Sequence, residues 1–285
     1  KSLMNCARTG FRYPACILMF LVSSACLAQR AKKETIVAGE NLFKEIAALP
    51  KQIREASGLE MTPSGNLWTH NDGGLPALYC VDTTGSVTKA VQLNHPNSGW
   101  EDLAMDREGN MYVGAFGNNK NDKQDLKIYK IRNPDSLNGV VNAEIIRYGY
   151  RDQNDYPPHP SQRNFDMDAF VALDDSLFLF SKNRTEPFTG YTRIYGLSQE
   201  PGDQVAAPVD SIYLGDGPMM DFWITGADLS PDTKTLALLS HRYVWIITDF
   251  NDHKFSSGRI VRINLNHFSH KAGICFASES KIYIV

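Results

Sequence analysis

This sequence predicts an all-β fold, a β-propeller of four-stranded blades, on three observations. One pattern recurs five times: a small or acidic residue, an apolar pair, a polar turn and a strongly apolar strand. The copies are SGLEMTPSGNLWTH (57–70), EDLAMDREGNMYVG (101–114), MDAFVALDDSLFLF (167–180), TGADLSPDTKTLALL (225–239) and AGICFASESKIYIV (272–285). Their spacing is regular. The apolar anchors Leu59, Leu103, Ala169, Ala227 and Ile274 lie 44, 66, 58 and 47 residues apart, and eight residues separate anchor from second strand in four copies, nine in the copy at 227. Finally, most copies are followed by further strand-like runs.

Each element has its own signal. The turns PSGN, REGN, DDS, PDTK and SES carry the glycine, Asn and Asp chemistry of hairpins. Third strands follow at ALYCVD (77–82), LKIYKI (126–131), TRIYGL (192–197) and YVWIIT (243–248), and fourth strands at SVTKAVQL (86–93) and AEIIRYGY (143–150). A blade cannot bury both faces alone, so repeated blades stack around a channel. A β-sandwich would not need one hairpin five times. Five blades are expected, or six if another unit follows residue 285. The segment NLFKEIAALP (41–50) is placed to supply the outer strand of the last blade, and 151–164, polar and Pro-rich, reads as a loop over one face.

The chain has 285 residues, 42% hydrophobic, 11% aromatic and 21% charged, which excludes disordered, collagen-like and disulfide-scaffold classes. Its formal net charge is −3, but residues 1–28 hold Lys1, Arg8 and Arg12 and no acid, so the remainder is net −6. An acidic body without a Lys/Arg block has no footprint for nucleic acid, and no such partner is expected.

A basic start followed by YPACILMFLVSSACLA (13–28) reads as a signal peptide cleaved after Ala28, with lipid attachment at Cys26 as the alternative. The expected layout is therefore a leader over 1–28, an N-terminal segment over 29–50 and a propeller over 51–285. The expected location is extracellular, cell-surface or periplasmic, with no transmembrane helix once the leader is gone. Cys80 and Cys275, each within an apolar run, read as buried free thiols. The chain opens on Lys and stops within the apolar run KIYIV, so it reads as a fragment truncated at its C-terminus.

The motifs WEDLAMDREGNMYVGAFGNN (100–119), NFDMDAF and DSLFLFSKNR (164–184), YTRIYGL (191–197) and WITGADLSPD (223–232) resemble a family of secreted propeller-like proteins of Bacteroidetes-type bacteria. The resemblance covers nearly all of 50–285 and implies export, in many members by type IX secretion through a C-terminal sorting domain. More distantly, the arrangement is similar to phytase-like and gluconolactonase-like propellers, some of which hold calcium at the channel mouth and hydrolyse esters. Two positions depart from the family pattern: Ala115 stands where Asp is expected and Asp168 where Glu is expected.

Polar residues gather before each first strand and after each second strand. Glu101, Asp102, Asp166 and Asp168 are the metal-ligand candidates, because calcium takes six to eight oxygen ligands. His70, Asn71, Asp72, Asn118, Lys182, Asn183, Arg184 and His241 are the binding candidates, with the basic members suited to an anionic ligand. The same residue types also cap strand ends and hold neighbouring backbone N–H groups. Trp68, Trp100 and Trp245 read as inter-blade packing, and Trp223, after the loop-like GDGPMMDF, as the exception. No nucleophile elbow, zinc motif or P-loop is present in the sequence. The expectation is a noncatalytic propeller that binds a small molecule or an extracellular protein through its loop-bearing face. The alternative is a calcium-dependent hydrolase acting on a small ester or phosphoester.

Overall fold

The computed structural model describes residues 2–7, 34–37 and 43–285. Cleavage after Ala28 and lipid attachment at Cys26 fall outside the described residues.

Three short strands come first: β1 (Ser2–Ala7), β2 (Glu34–Val37) and β3 (Phe43–Ala48). The first full unit is β4 (Ala56–Met61), β5 (Leu67–Asn71), β6 (Ala77–Val81) and β7 (Val87–Leu93). The second holds β8 (Asp102–Met105), β9 (Asn110–Ala115), β10 (Leu126–Arg132) and, after the short β11 (Gly139–Val141), β12 (Glu144–Tyr150). The third is β13 (Met167–Leu173), β14 (Ser176–Ser181), β15 (Tyr191–Ser198) and β16 (Gly202–Tyr213). The fourth is β17 (Gly226–Leu229), β18 (Thr235–Leu239), β19 (Tyr243–Thr248) and β20 (Arg259–Asn264). The last begins with β21 (Ile274–Ser278) and β22 (Lys281–Ile284).

Within each of the four full units, sequential strands pair antiparallel. The last sheet has the order β21-β22-β1-β3, so β1 lies between the C-terminal strand and β3. The hairpins close as their sequences demand: Thr62 N–H donates to the Asn66 carbonyl, Asp106 N–H to the Asn110 carbonyl, and Gly65 and Gly109 take the left-handed conformation. Outer strands also join units, since β12 pairs parallel with β16, β11 with β7 and β2 with β20.

The innermost strands β4, β8, β13, β17 and β21 lie side by side in that order, and β21 returns against β4. The described residues thus form a ring of sheets around a central channel, a β-propeller. The five anchors Leu59, Leu103, Ala169, Ala227 and Ile274 sit on these strands and are at most 1% exposed. Five apolar cores fill the spaces between successive sheets. Trp68 and Trp100 belong to the core between the first two units, and Trp245 to the core between the third and fourth. A fully buried side chain of this size contributes about 2–3 kcal/mol through lost water contact, so the ring is held mainly between sheets. Cys80 and Cys275 are buried and unbridged within such cores.

Candidate functional site

Antiparallel pairing brings the start of each innermost strand and the end of its partner to the same face. Polar segments of several units therefore meet at one channel mouth. Residues 151–164 pack at this face: Arg184 N–H donates to the Arg163 carbonyl, and the Gln153 amide to the Asn121 carbonyl. Among the described residues, no helix is long and apolar enough to cross a membrane.

The mouth opens into a pocket of about 360 Å³. Strand starts contribute Ser57, Glu101, Asp168, Thr225 and Lys271; strand ends contribute Asp72, Lys182, Arg184 and His241; Trp223 and His270 complete the wall.

The cations here are held in pairs. Lys182 pairs with Asp168, both side chains largely buried. Burial works against the lysine charge, but Asp168 and Asp166 outweigh it and raise its pKa. Arg184 pairs with Asp166 and also donates to the Asn119 side chain. Burial and the Asp168 carboxylate outweigh the Arg184 guanidinium and push Asp166 up to about 6. Trp223 lies beneath both cations, its ring centre 4.5 Å from the Arg184 guanidinium carbon and 5.4 Å from Lys182 Nζ. Its Nε1 donates to the Asn183 carbonyl at 2.7 Å, which fixes the ring. Arg242, just outside, approaches Asp221 at 2.9 Å.

Lys271 differs. It is 3% exposed, and its Nζ donates to the His241 carbonyl at 2.8 Å with no carboxylate partner among the described residues. Burial, then the nearby Arg242, pull its pKa down to about 8. Beside it His241 is 5% exposed, with Nδ1 buried and without a hydrogen-bond partner. Burial, then Lys182, His270 and Lys271, lower that imidazole to about 4.

The opposite wall is acidic. Burial, then Asp168 and Asp72, raise Glu101 well above the carboxylate range, with Lys182 opposing. The Glu101 carboxylate occupies the space beside Gly117 that a β-carbon would need. Gly58 is required nearby for another reason: its φ is +65°, and a β-carbon would press on the Leu103 backbone nitrogen and His70.

Deeper in the channel, three buried carboxyls tie strands together. Asp102 accepts from its own neighbour Leu103 and from the N–H groups of Phe170 and Ala227 on two other innermost strands. Asp228 accepts from Leu229 and Phe276. Glu60 accepts from Met61 and from the Met105 N–H on β8. Burial is the first cause raising all three, and it pushes Asp228 up to about 7.

Of the residues expected to bind ligand, Asp72, Lys182, Arg184 and His241 meet in the pocket. The others serve the scaffold. His70 is wholly buried, edge-on to Trp100, with Nδ1 against the Asn71 carbonyl. Asn71 caps Glu55 N–H and donates to the Gln52 carbonyl. Asn118 accepts from Asp122 and Lys123 and donates to the Phe165 carbonyl. Asn183 bonds Thr185, Thr189 and Tyr191.

The four expected metal ligands divide. Glu101 and Asp168 line the pocket, Asp166 sits behind Arg184, and Asp102 holds backbone N–H groups in the channel. Among the described residues, no group of three or more His, Cys, Asp or Glu side chains is disposed to hold a metal ion. Sequence reasoning missed Lys271, His270, Glu60 and Asp228. The signal for Lys271 was positional, a basic residue three before the anchor Ile274, at a point where the other four copies carry Ala56, Trp100, Asp166 and Ile224.

No family model and no curated protein matches the chain. Among solved structures it is similar to a streptogramin B lyase (15% identity, TM-score 0.41, 79% of this chain and 60% of that one). It is also similar to a chain of a nidogen–laminin complex (10%, 0.44, 83% and 73%) and to a gluconolactonase from Xanthomonas campestris (13%, 0.42, 85% and 74%).

Proposed function

We propose that this chain is a noncatalytic ligand-binding propeller, acting outside the cytoplasm, whose ligand is a small polar molecule held in the channel mouth. The observation that carries the reading is the convergence of polar side chains, several of them charged, from all five units on one pocket of about 360 Å³. That volume suits a molecule the size of a monosaccharide or an amino acid. The polar groups are held before any ligand arrives: Lys182 by Asp168, Arg184 by Asp166 and Trp223. Such preorganisation lowers the entropic cost of binding.

A calcium-dependent hydrolase would need Glu101, Asp102, Asp166 and Asp168 around one ion. Asp102 instead spends both oxygens on backbone N–H groups, and Asp166 and Asp168 face cations, which favours the binding reading.

The experiment is a thermal-shift panel of sugars, amino acids and organic acids against the wild-type chain and Ala272→Trp, which fills the pocket from its wall. Ligands that raise Tm only in the wild type are expected. Ligands that act equally on both proteins, or a panel without effect, would contradict the reading.

A further inference from the structure

We propose that the ligand carries a single carboxylate, seated on the Lys271 ammonium; this rests on the reading of the channel mouth as a ligand site. The argument begins with charge balance. The cations Lys182, Arg184 and Arg242 each face an aspartate, whereas Lys271, the most buried of the four, faces none among the described residues. An ammonium has three N–H donors, and one is used, on the His241 carbonyl. Buried charges in folded proteins are paired, because an uncompensated one forfeits its hydration. Lys271 lines the pocket, so the missing partner is an anion that enters it.

The opposite wall sets the charge of that anion. Asp72 and Asp168 share the pocket, and a dianion would be repelled by them. A monoanionic carboxylate meets Lys271 at one end and leaves its neutral polar groups for the acidic wall. The charged neighbours facing Lys271 are Arg242 and His241, with His270 beyond; burial keeps His241 neutral above pH about 4, so at neutral pH it adds no competing cation.

The test uses the full chain and matched probes: acetate against acetamide, D-glucuronate against D-glucuronamide, and inorganic phosphate. Thermal shift and titration calorimetry are run on wild type, Lys271→Met and Ala272→Trp. The expected result is stabilisation by an acid but not by its amide, with phosphate weaker than D-glucuronate. Affinity for the acid falls tenfold or more in Lys271→Met. That variant loses a buried charge without a partner, so its unliganded Tm stays at or above wild type. A second measurement does not depend on the variant: wild-type affinity for the acid falls as pH rises through about 8, where Lys271 loses its proton.

Equal binding of acid and amide, or undiminished binding to Lys271→Met, overturns the inference. If the amides bind and Ala272→Trp abolishes that binding, the ligand site stands and only its charge preference falls. If none of these probes binds at all, the carboxylate inference is overturned, and the site itself is judged by the wider panel.

Discussion

Asp102 and Ala227 are 125 residues apart, yet the Asp102 carboxylate accepts the Ala227 N–H at 3.3 Å across the channel. The same carboxylate oxygen takes the Phe170 N–H. One side chain thus ties the innermost strands of the second, third and fourth units. Leaving buried N–H groups without acceptors costs about 1–3 kcal/mol each. Asp102→Ala is therefore expected to lose about 2–5 kcal/mol in urea unfolding, and Asp102→Asn, which keeps an acceptor, clearly less. The loss should be the same in calcium and in chelator. A deficit seen only in calcium would assign Asp102 to a metal instead.

Acidification should stabilise this protein. Burial pushes Asp228 up to about 7, and burial with Asp168 pushes Asp166 up to about 6, against about 3.8 in an unfolded chain. A carboxyl raised in this way contributes stability that is complete below its unfolded pKa and lost as pH rises through the folded value. His241, lowered to about 4, acts in the opposite sense: its contribution is present above about 6.5 and lost as pH falls toward 4. One imidazole is outweighed by two carboxyls, so Tm should rise by a few degrees from pH 7.5 to 5.5. Asp228→Asn should flatten the upper half of that rise. A Tm that falls over the same interval would refute the assignment.

Trp223 should matter for binding as well as for folding. It is half-buried, and its ring supports Arg184 and Lys182 from one side. Cation–π contacts of this kind contribute about 0.5–1 kcal/mol each. Trp223→Leu is expected to weaken the tightest ligand of the panel about five- to tenfold, with a stability loss of about 1–2 kcal/mol. Unchanged affinity would remove the ring from the binding surface.

Gly117→Ala is a probe of the acidic wall. Its methyl group would displace the flexible end of Glu101 rather than backbone, so folding should survive. Ligand affinity should change at least threefold while urea stability moves by less than about 1 kcal/mol. A large stability loss would show that Glu101 is held for structure.

Much of the fold was legible because apolar anchors and turn residues obey local rules. The Leu59–Leu67 and Leu103–Met111 spacings are properties of a hairpin, and the hairpin formed wherever the pattern occurred. The site was legible in part. Position in the repeat marked Lys182, Arg184, Asp72 and His241, since strand ends must reach the mouth. It could not separate them from Asn118 and Asn183, whose side chains satisfy nearby loop backbone. Nor could it separate Asp168, which faces Lys182 in the pocket, from Asp102 in the equivalent place, which turns to backbone N–H groups. A register shift between Met167 and Ala169, with no counterpart on β8, distinguishes the two strands, and the pattern does not record it. Lys271 escaped because its significance lies in the partner it lacks, which only three-dimensional surroundings reveal.

The most direct measurement is a crystal structure of the full chain grown with the tightest ligand of the panel. The account predicts density in the channel mouth between Trp223 and Glu101, with a carboxylate oxygen about 3 Å from Lys271 Nζ. A ligand bound elsewhere on the surface, with the mouth holding only water, would contradict it.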